Sequence, residues 1–204
     1  MSDAPGAFLG TWTLMMAAMM LPSAAPMIRL HRLQDAPGAA RELRSAVFVA
    51  GYLLVWAAVG VAVWLAGLLA DALVPMETQA AGVAALLVAA GVYEYTPLKS
   101  VCLRACRSPM DFLVTHWHTG LAGALRVGVA HGVYCLGCCW ALMAVFVGVG
   151  AMDLGWAAAI ALVVLVEKVL PVGVAFSRVV GAVLIAAGLA ILARPELAML
   201  LPRM

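Results

Sequence analysis

Long apolar stretches separated by short polar connections make up most of this chain of 204 residues. Six stretches can be read from the sequence, at residues 7–28, 46–70, 79–98, 122–150, 154–171 and 178–194. A helix needs about 20 apolar residues to cross the hydrocarbon core of a bilayer, and only the fifth stretch is near the lower limit. The pattern predicts an all-α protein, a single transmembrane bundle of about six helices over residues 1–204.

Prolines and one long connection interrupt this pattern. Pro22 and Pro26 lie inside the first stretch, so we expect the first helix to kink or to end early. The connection from Leu98 to Leu121 mixes Cys, Arg, aromatic and His residues. We expect residues 100–118 within it to form a re-entrant or interfacial helix.

The composition supports a location in the membrane. Hydrophobic residues make up 66% of the chain and charged residues 11%, against about 45–50% and about 25% in soluble proteins. The lipid bilayer is therefore the expected partner. No basic domain is available to bind nucleic acid, and no phosphate-binding loop is present to drive pumping by ATP.

The distribution of charge predicts the orientation. The N-terminus lacks the basic region of a cleavable signal, so we expect the first span to be retained. The first and third connections are basic, and they contain Arg29, Arg32, Arg41 and Arg44, then Lys99, Arg104 and Arg107. Because basic loops stay in the cytoplasm, both termini are expected on the periplasmic side of a bacterial inner membrane.

The fourth stretch carries a stripe of soft donor atoms. His131, Cys135, Cys139 and Met143 follow one another at four-residue spacing, and Cys138 lies three residues after Cys135. On a helix this spacing places all five on one face. Soft sulfur ligands select Cu(I), zinc or iron–sulfur chemistry, and Cu(I) suits such a stripe best. The alternative is that these residues are ordinary buried packing.

Methionines form a second soft cluster in the first stretch. Met15 with Met19, and Met16 with Met20, repeat at four-residue spacing. Thioethers thus cover about half of the helix circumference. The cluster indicates either a path for a soft metal or apolar packing.

Cys102 and Cys106 form a third candidate group, just after the third stretch. Their four-residue spacing puts both thiols on one side of a helix, and neighbouring cations favour thiolates. They are expected either to receive or deliver a soft metal at the cytoplasmic mouth or to form a redox pair.

Ionisable residues inside the apolar stretches are the last candidates, because such residues usually mark a functional interior. With the predicted orientation, Glu94, Glu167 and His131 lie at one depth in the cytoplasmic half of the membrane. They are expected to share a site, with Glu94, Glu167 and Lys168 providing charge balance or proton coupling. The alternative is an interhelical ion pair of Glu94 or Glu167 with Lys168, Lys99 or Arg126.

Three sequence motifs together resemble a bacterial family of predicted metal-binding integral membrane proteins, a domain of unknown function. They are Met-Met-Ala-Ala-Met-Met-Leu-Pro-Ser from Met15, Tyr-Glu-Tyr-Thr-Pro-Leu-Lys from Tyr93 with the following Cys-x-x-x-Cys, and His-Gly-x-Tyr-Cys-x-Gly-Cys-Cys-Trp from His131. The resemblance extends from Trp12 to about Pro171. It implies a membrane fold and metal binding, but no particular reaction.

The leading hypothesis is a protein, more a binder or transporter than an enzyme, that binds and translocates or delivers a soft transition metal. Cu(I) is favoured, with zinc, iron or haem as other candidates. One alternative is a membrane redox protein that uses thiols and disulfides or a haem bound by His131. Another is an assembly subunit that inserts metal into a membrane or periplasmic partner protein. A homo-oligomer fits each of these hypotheses.

Overall fold

The computed structural model describes residues 4–34, 37–73, 79–150 and 153–200. Helices dominate this part of the chain, which confirms the all-α prediction. The helices are α1 (Pro5–Leu33), α2 (Ala39–Leu73), α3 (Gln79–Tyr93), α4 (Pro97–Arg107), α5 (Pro109–His116), α6 (Gly120–Gly150), α7 (Leu154–Val169), α8 (Gly173–Ala193) and a terminal 3₁₀ helix (Pro195–Leu200).

Several of these helices have the length and composition needed to cross a bilayer. Within the described ranges they are α1, α2, α6 and α8, and the bent pair of α3 and α4 provides a fifth span if the two count as one. The 16 residues of α7 are about 24 Å long, less than the hydrocarbon core of about 30 Å. The helices are thus compatible with a membrane bundle, and six crossings remain a prediction.

Pro22 and Pro26 predicted a kink or an early end of the first helix, but the helix does not end early. It continues through Pro22 and Pro26 to Leu33. Each proline removes one backbone N–H from the helix, which membrane helices tolerate when neighbouring structure compensates. Met20 and Met27, beside the two prolines, are buried at 0% and 1% exposure. Packing on both sides of the prolines therefore favours continuation of the helix.

The third stretch is shorter than its apolar pattern predicted, because α3 ends at Tyr93 rather than near residue 98. Pro97 disfavours a helical conformation in the residue before it and suits the first position of a new helix. Thr96 caps this new helix, since its Oγ1 accepts a hydrogen bond from the backbone N–H of Lys99 at 3.3 Å. As a result, α3 and α4 meet at an angle of 65°.

The helix expected at residues 100–118 is also divided. It consists of the second half of α4 and all of α5, with Ser108 between them. Pro109 restricts Ser108 in the same way that Pro97 restricts Thr96. Whether either piece lies at the membrane surface remains a prediction.

The chain divides into two compact units. Unit 1 contains residues 1–71 and 102–138. In it, the indole N–H of Trp12 in α1 donates a hydrogen bond to the carbonyl oxygen of Trp56 in α2 at 2.9 Å. The core of unit 1 includes Met27, Phe48, Phe112, Leu113 and Val127.

Unit 2 contains residues 72–101 and 139–204. Here α3 and α8 approach closely at small residues, and a Cβ atom on Gly91 would lie 2.6 Å from the carbonyl oxygen of Gly181. Its core is formed by Ala84, Leu87, Ala90, Tyr93, Ala141, Val145, Val149 and Ile191. That both units belong to a single bundle remains a prediction.

Gly128 allows α6 to approach α2 within unit 1, since a Cβ atom there would overlap the carbonyl oxygen of Phe48. We expect Gly128→Ala to lower the free energy of unfolding by about 1–3 kcal/mol, the usual effect of overpacking. Gly10→Ala is the control, because a Cβ atom there meets nothing within 4 Å and alanine is the better helix former. Denaturant titration in detergent micelles measures both, and equal effects would contradict the close approach.

Candidate functional site

Two thiols from different helices meet in unit 1. The Sγ atom of Cys106, in the last turn of α4, lies 3.8 Å from the Sγ atom of Cys138 in α6. Cys138 is buried, whereas Cys106 is half-buried. This contact, which we call the thiol pair, joins a cysteine of the third candidate group to a cysteine of the α6 stripe.

A glycine allows α4 to come this close to α6. A Cβ atom on Gly137 would lie 2.6 Å from the Sγ atom of Cys102. The thiol of Cys102 therefore occupies space that any other residue at 137 would fill. Cys102 is also close enough to Cys138 for the two thiols to interact electrostatically.

The remaining cysteine of unit 1 has a polar neighbour from α2. The hydroxyl of Tyr52 and the Sγ atom of Cys135 are 2.9 Å apart, and either can be the donor. The thiol of Cys138 donates to the carbonyl oxygen of Cys135 at 3.0 Å. None of the five cysteines, all of which lie in the described ranges, forms a disulfide. Four of them, Cys102, Cys106, Cys135 and Cys138, belong to unit 1.

The separation of the thiol pair suits a shared metal ion. Two sulfurs bound to one metal at about 2.3 Å lie about 3.8 Å apart at a tetrahedral angle and about 4.0 Å apart at a trigonal angle. A disulfide instead requires the sulfurs to approach to about 2.05 Å. Across the described residues, no group of three His, Cys, Asp or Glu side chains has metal-ligand geometry. The site formed by these residues is thus a pair of soft donors.

His131 lies one turn before Cys135, among aromatic rings. Its ring centroid is 5.4 Å from that of Phe112, 5.7 Å from that of Tyr52 and 6.1 Å from that of Phe48. The side chain is 2% exposed. The aromatic surroundings orient the imidazole, and its role as a ligand remains a prediction.

The other predicted soft ligands occupy two places. Met16, Met19 and Met20 lie on the buried face of α1 in unit 1, and Met15 is half-buried. Cys139 and Met143 are buried in the part of α6 that belongs to unit 2. All five residues of the α6 stripe therefore lie on one helix, as the sequence predicted, but they are divided between the two units.

A buried ion cluster forms in unit 2. The Nζ atom of Lys99 lies 2.6 Å from Oε2 of Glu94 and 2.8 Å from Oε2 of Glu167. The hydroxyl of Ser177 in α8 donates a hydrogen bond to Oε2 of Glu94 at 2.7 Å. Each of the three charged side chains is at most 2% exposed. The cluster therefore ties together the α3–α4 break, α7 and α8.

The geometry of the cluster agrees with the ion-pair interpretation of Glu94 and Glu167, and their proton coupling remains a prediction. Lys99 is the cation that lies between the glutamates, as the ion-pair interpretation allowed. Arg126 is exposed, and Lys168, next to Glu167, is also buried. His131, expected to share a site with the glutamates, has its aromatic contacts in unit 1.

Two residues of these sites, Tyr52 and Ser177, were not among the candidates predicted from the sequence. Tyr52 and Ser177 are hydroxyl side chains inside otherwise apolar helices, and both are buried. A buried hydroxyl needs a hydrogen-bond partner, so each one implies a polar neighbour on another element. The two hydroxyl residues were therefore visible in the sequence as a sign of polar neighbours, although the sequence does not identify those neighbours.

A comparison with protein families gives a match over most of the chain. The family model described as PpoB2, copper chaperone, matches residues 9–191. The matched range includes all five cysteines and the whole ion cluster. No curated protein and no solved structure matches the chain.

The ion cluster yields a stability test. We expect Lys99→Met to lower the free energy of unfolding by about 3–5 kcal/mol, because it leaves two buried carboxylates without their shared cation. Arg126→Met, an exposed control, is expected to change it by less than about 0.5 kcal/mol.

A triple variant, Lys99→Met with Glu94→Gln and Glu167→Gln, removes all three charges. It is expected to recover most of the loss, since neutral amides are less costly to bury than unpaired carboxylates. Denaturant titration in micelles compares the variants. If Lys99→Met were as mild as Arg126→Met, the cluster would not stabilise unit 2.

Proposed function

This chain belongs to the PpoB2 family of copper chaperones, and we propose that it binds Cu(I) at the thiol pair and passes the ion to an acceptor protein. The 3.8 Å separation of Cys106 and Cys138 carries this proposal. Thiolates are soft ligands that select Cu(I). Two sulfurs from two helices suffice for an ion that accepts few ligands, whereas structural zinc usually requires four.

Delivery requires the ion to leave as well as to bind. Cys106 is half-buried, so an incoming ligand can approach the copper from its side. Cys102 and Cys135 lie near the pair and supply further thiols during exchange. Stepwise replacement of one sulfur by another lets Cu(I) move without being released as a free ion.

The other soft donors are assigned a supporting role in this proposal. Met15, Met16, Met19 and Met20 of α1, together with His131, Cys139 and Met143 of α6, are proposed as further ligands along the route of the ion. The buried methionine face of α1 supports this assignment. The ion cluster of Glu94, Lys99 and Glu167 is proposed to hold its helices together, with proton coupling as a second role.

We also propose that the chain is an integral membrane protein. Only 11% of the most apolar 18-residue window of α2 is buried inside the protein. Leu54, Leu65 and Leu69 on this helix are 56%, 49% and 61% exposed. In water such a surface would be an unusually large apolar patch, whereas lipid covers it favourably. The basic α1–α2 connection then faces the cytoplasm and the termini face the periplasm.

A second candidate function is dithiol redox exchange, which the same pair supports. Forming a Cys106–Cys138 disulfide releases two protons and two electrons, which an oxidant accepts. To form this bond, the two sulfur atoms must approach from 3.8 Å to about 2.05 Å. This function needs no bound metal, and that difference separates the two candidates experimentally.

Anaerobic Cu(I) titration of the full-length protein in detergent, against a competing chelator, tests copper binding. The wild-type chain is expected to bind Cu(I) stoichiometrically. Cys106→Ser with Cys138→Ser is expected to weaken binding more than about a hundredfold, since even indirect neighbours of a metal contribute about 10–100-fold. Val114→Ser with Val133→Ser is the control, because it places two serines at exposed positions of the same unit that are not proposed as ligands.

Two results would contradict the copper proposal. One is unchanged affinity in the Cys106/Cys138 variant, and the other is a failure of the wild-type chain to bind Cu(I). In the second case, metal-free protein treated with diamide distinguishes the redox candidate. Loss of two thiols in the wild-type chain, reversed by dithiothreitol and missing in the variant, would support redox exchange.

A further inference from the structure

A tyrosine of α2 contacts two soft donors of the α6 stripe in unit 1. The hydroxyl of Tyr52 lies 2.9 Å from the Sγ atom of Cys135. The centroid of the same ring lies 5.7 Å from that of His131, with an angle of 29° between the two planes. Tyr52 and Cys135 are each 1% exposed. One buried side chain therefore touches two donors that lie a helical turn apart.

A glycine on α6 brings α2 close enough for this contact. A Cβ atom on Gly132 would lie 3.2 Å from the carbonyl oxygen of Tyr52 and 2.9 Å from a methyl group of Val55. Because Gly132 is three residues before Cys135, the two helices are already in contact one turn away from the hydrogen bond. Helix packing thus holds the backbone of Tyr52 and directs its hydroxyl to one position beside the sulfur.

The hydroxyl of tyrosine suits a sulfur that gains and loses a metal ion. A phenol both donates and accepts hydrogen bonds, whereas a thiol binds a metal only after losing its proton. Once copper has replaced that proton, the O–H group of Tyr52 donates to the sulfur of Cys135. Such a bond draws electron density from the sulfur and weakens its bond to the metal, so copper on Cys135 can leave again.

Cys135 is also near the thiol pair without being part of it. Cys138 lies one turn further along α6, and its thiol donates to the carbonyl oxygen of Cys135 at 3.0 Å. No three such side chains in the described ranges have the geometry to hold one metal ion, so Cys135 is not a third ligand of the pair. A nearby sulfur that does not bind the ion at rest is suited to displace one that does.

We propose that Tyr52 is a positioning residue for copper exchange, and that its hydroxyl holds the sulfur of Cys135 in place to displace Cys138 from Cu(I). This proposal rests on copper binding at the thiol pair. In the displacement, a bond from copper to the Cys135 sulfur forms and the bond to the Cys138 sulfur breaks. The proton of the Cys135 thiol passes to the sulfur of Cys138. The total charge of the buried site does not change, and the copper remains Cu(I).

Anaerobic stopped-flow extraction of Cu(I) tests this role. The full-length protein in detergent is loaded with equimolar Cu(I) and mixed with excess bathocuproine disulfonate, whose Cu(I) complex is coloured. Release to this chelator requires both sulfurs of the thiol pair to let go of the ion. Tyr52→Phe is expected to slow extraction about tenfold or more, since misplacing a reacting group by about 1 Å costs up to about a hundredfold in rate. The dissociation constant for Cu(I) is expected to change much less, because Cys106 and Cys138 are intact.

Tyr134→Phe is the matched control. It removes the same hydroxyl from another tyrosine of unit 1, whose ring centroid lies 5.5 Å from that of Phe112 and 5.7 Å from that of His116. We expect this variant to release Cu(I) at the wild-type rate. Equal slowing by Tyr52→Phe and Tyr134→Phe would contradict the proposal, because it would indicate a general effect of losing a tyrosine hydroxyl.

A double-mutant cycle separates an effect through Cys135 from loosened packing. If Tyr52 acts through this sulfur, Cys135→Ser slows extraction to a similar degree, and Tyr52→Phe adds little in the Cys135→Ser background. Additive effects of the two changes, or wild-type extraction from Cys135→Ser, would overturn the role of Tyr52 and leave the thiol pair as the copper site. Failure of the wild-type chain to bind Cu(I) would instead overturn the copper proposal and this one with it.

Discussion

Pro97 lacks a backbone N–H and restricts Thr96, so the helix that begins at Gln79 stops at Tyr93 and a new helix begins. Both buried polar sites depend on this interruption. The new helix, α4, carries Lys99 in its first turn and Cys102 and Cys106 further along. An uninterrupted helix would have continued in the direction of α3, without the 65° bend that redirects α4.

The two sites differ in how strongly they resist change. In the ion cluster, both carboxylates share one ammonium group at 2.6 and 2.8 Å, and Ser177 supplies a further bond. Removing one member of such a buried set strongly destabilises the folded protein, which suits a structural role. The sulfurs of the thiol pair lie 3.8 Å apart and one of them is partly accessible, which suits the exchange of a ligand.

The sequence was sufficient for the all-α class, because apolar patterning is a local property of the chain, and its soft donors pointed to copper, which the family match supports. It predicted the face of α6 that carries His131, Cys135 and Cys138, and it selected Glu94 and Glu167, which are buried in the structure. It could not predict that Cys106 would meet Cys138, since that contact depends on how α4 packs against Gly137.

Two errors have a common origin in proline. The apolar pattern ran past Tyr93 to residue 98, although Pro97 already indicated where a new helix starts. Conversely, Pro22 and Pro26 indicated a kink or an early end of α1, and the early end does not occur, because buried methionines pack around the prolines. A proline therefore ends a helix only where its neighbours also favour the break. A capping residue such as Thr96 marked the real break, whereas α1 remains buried on both sides of its prolines.

The central claim is that sulfur atoms of this chain hold copper. Copper-edge X-ray absorption of the full-length protein, loaded anaerobically with Cu(I), measures the ligand atoms directly. We expect a low-coordinate Cu(I) centre whose ligands are mainly sulfur atoms. A centre with only nitrogen and oxygen ligands would contradict the claim.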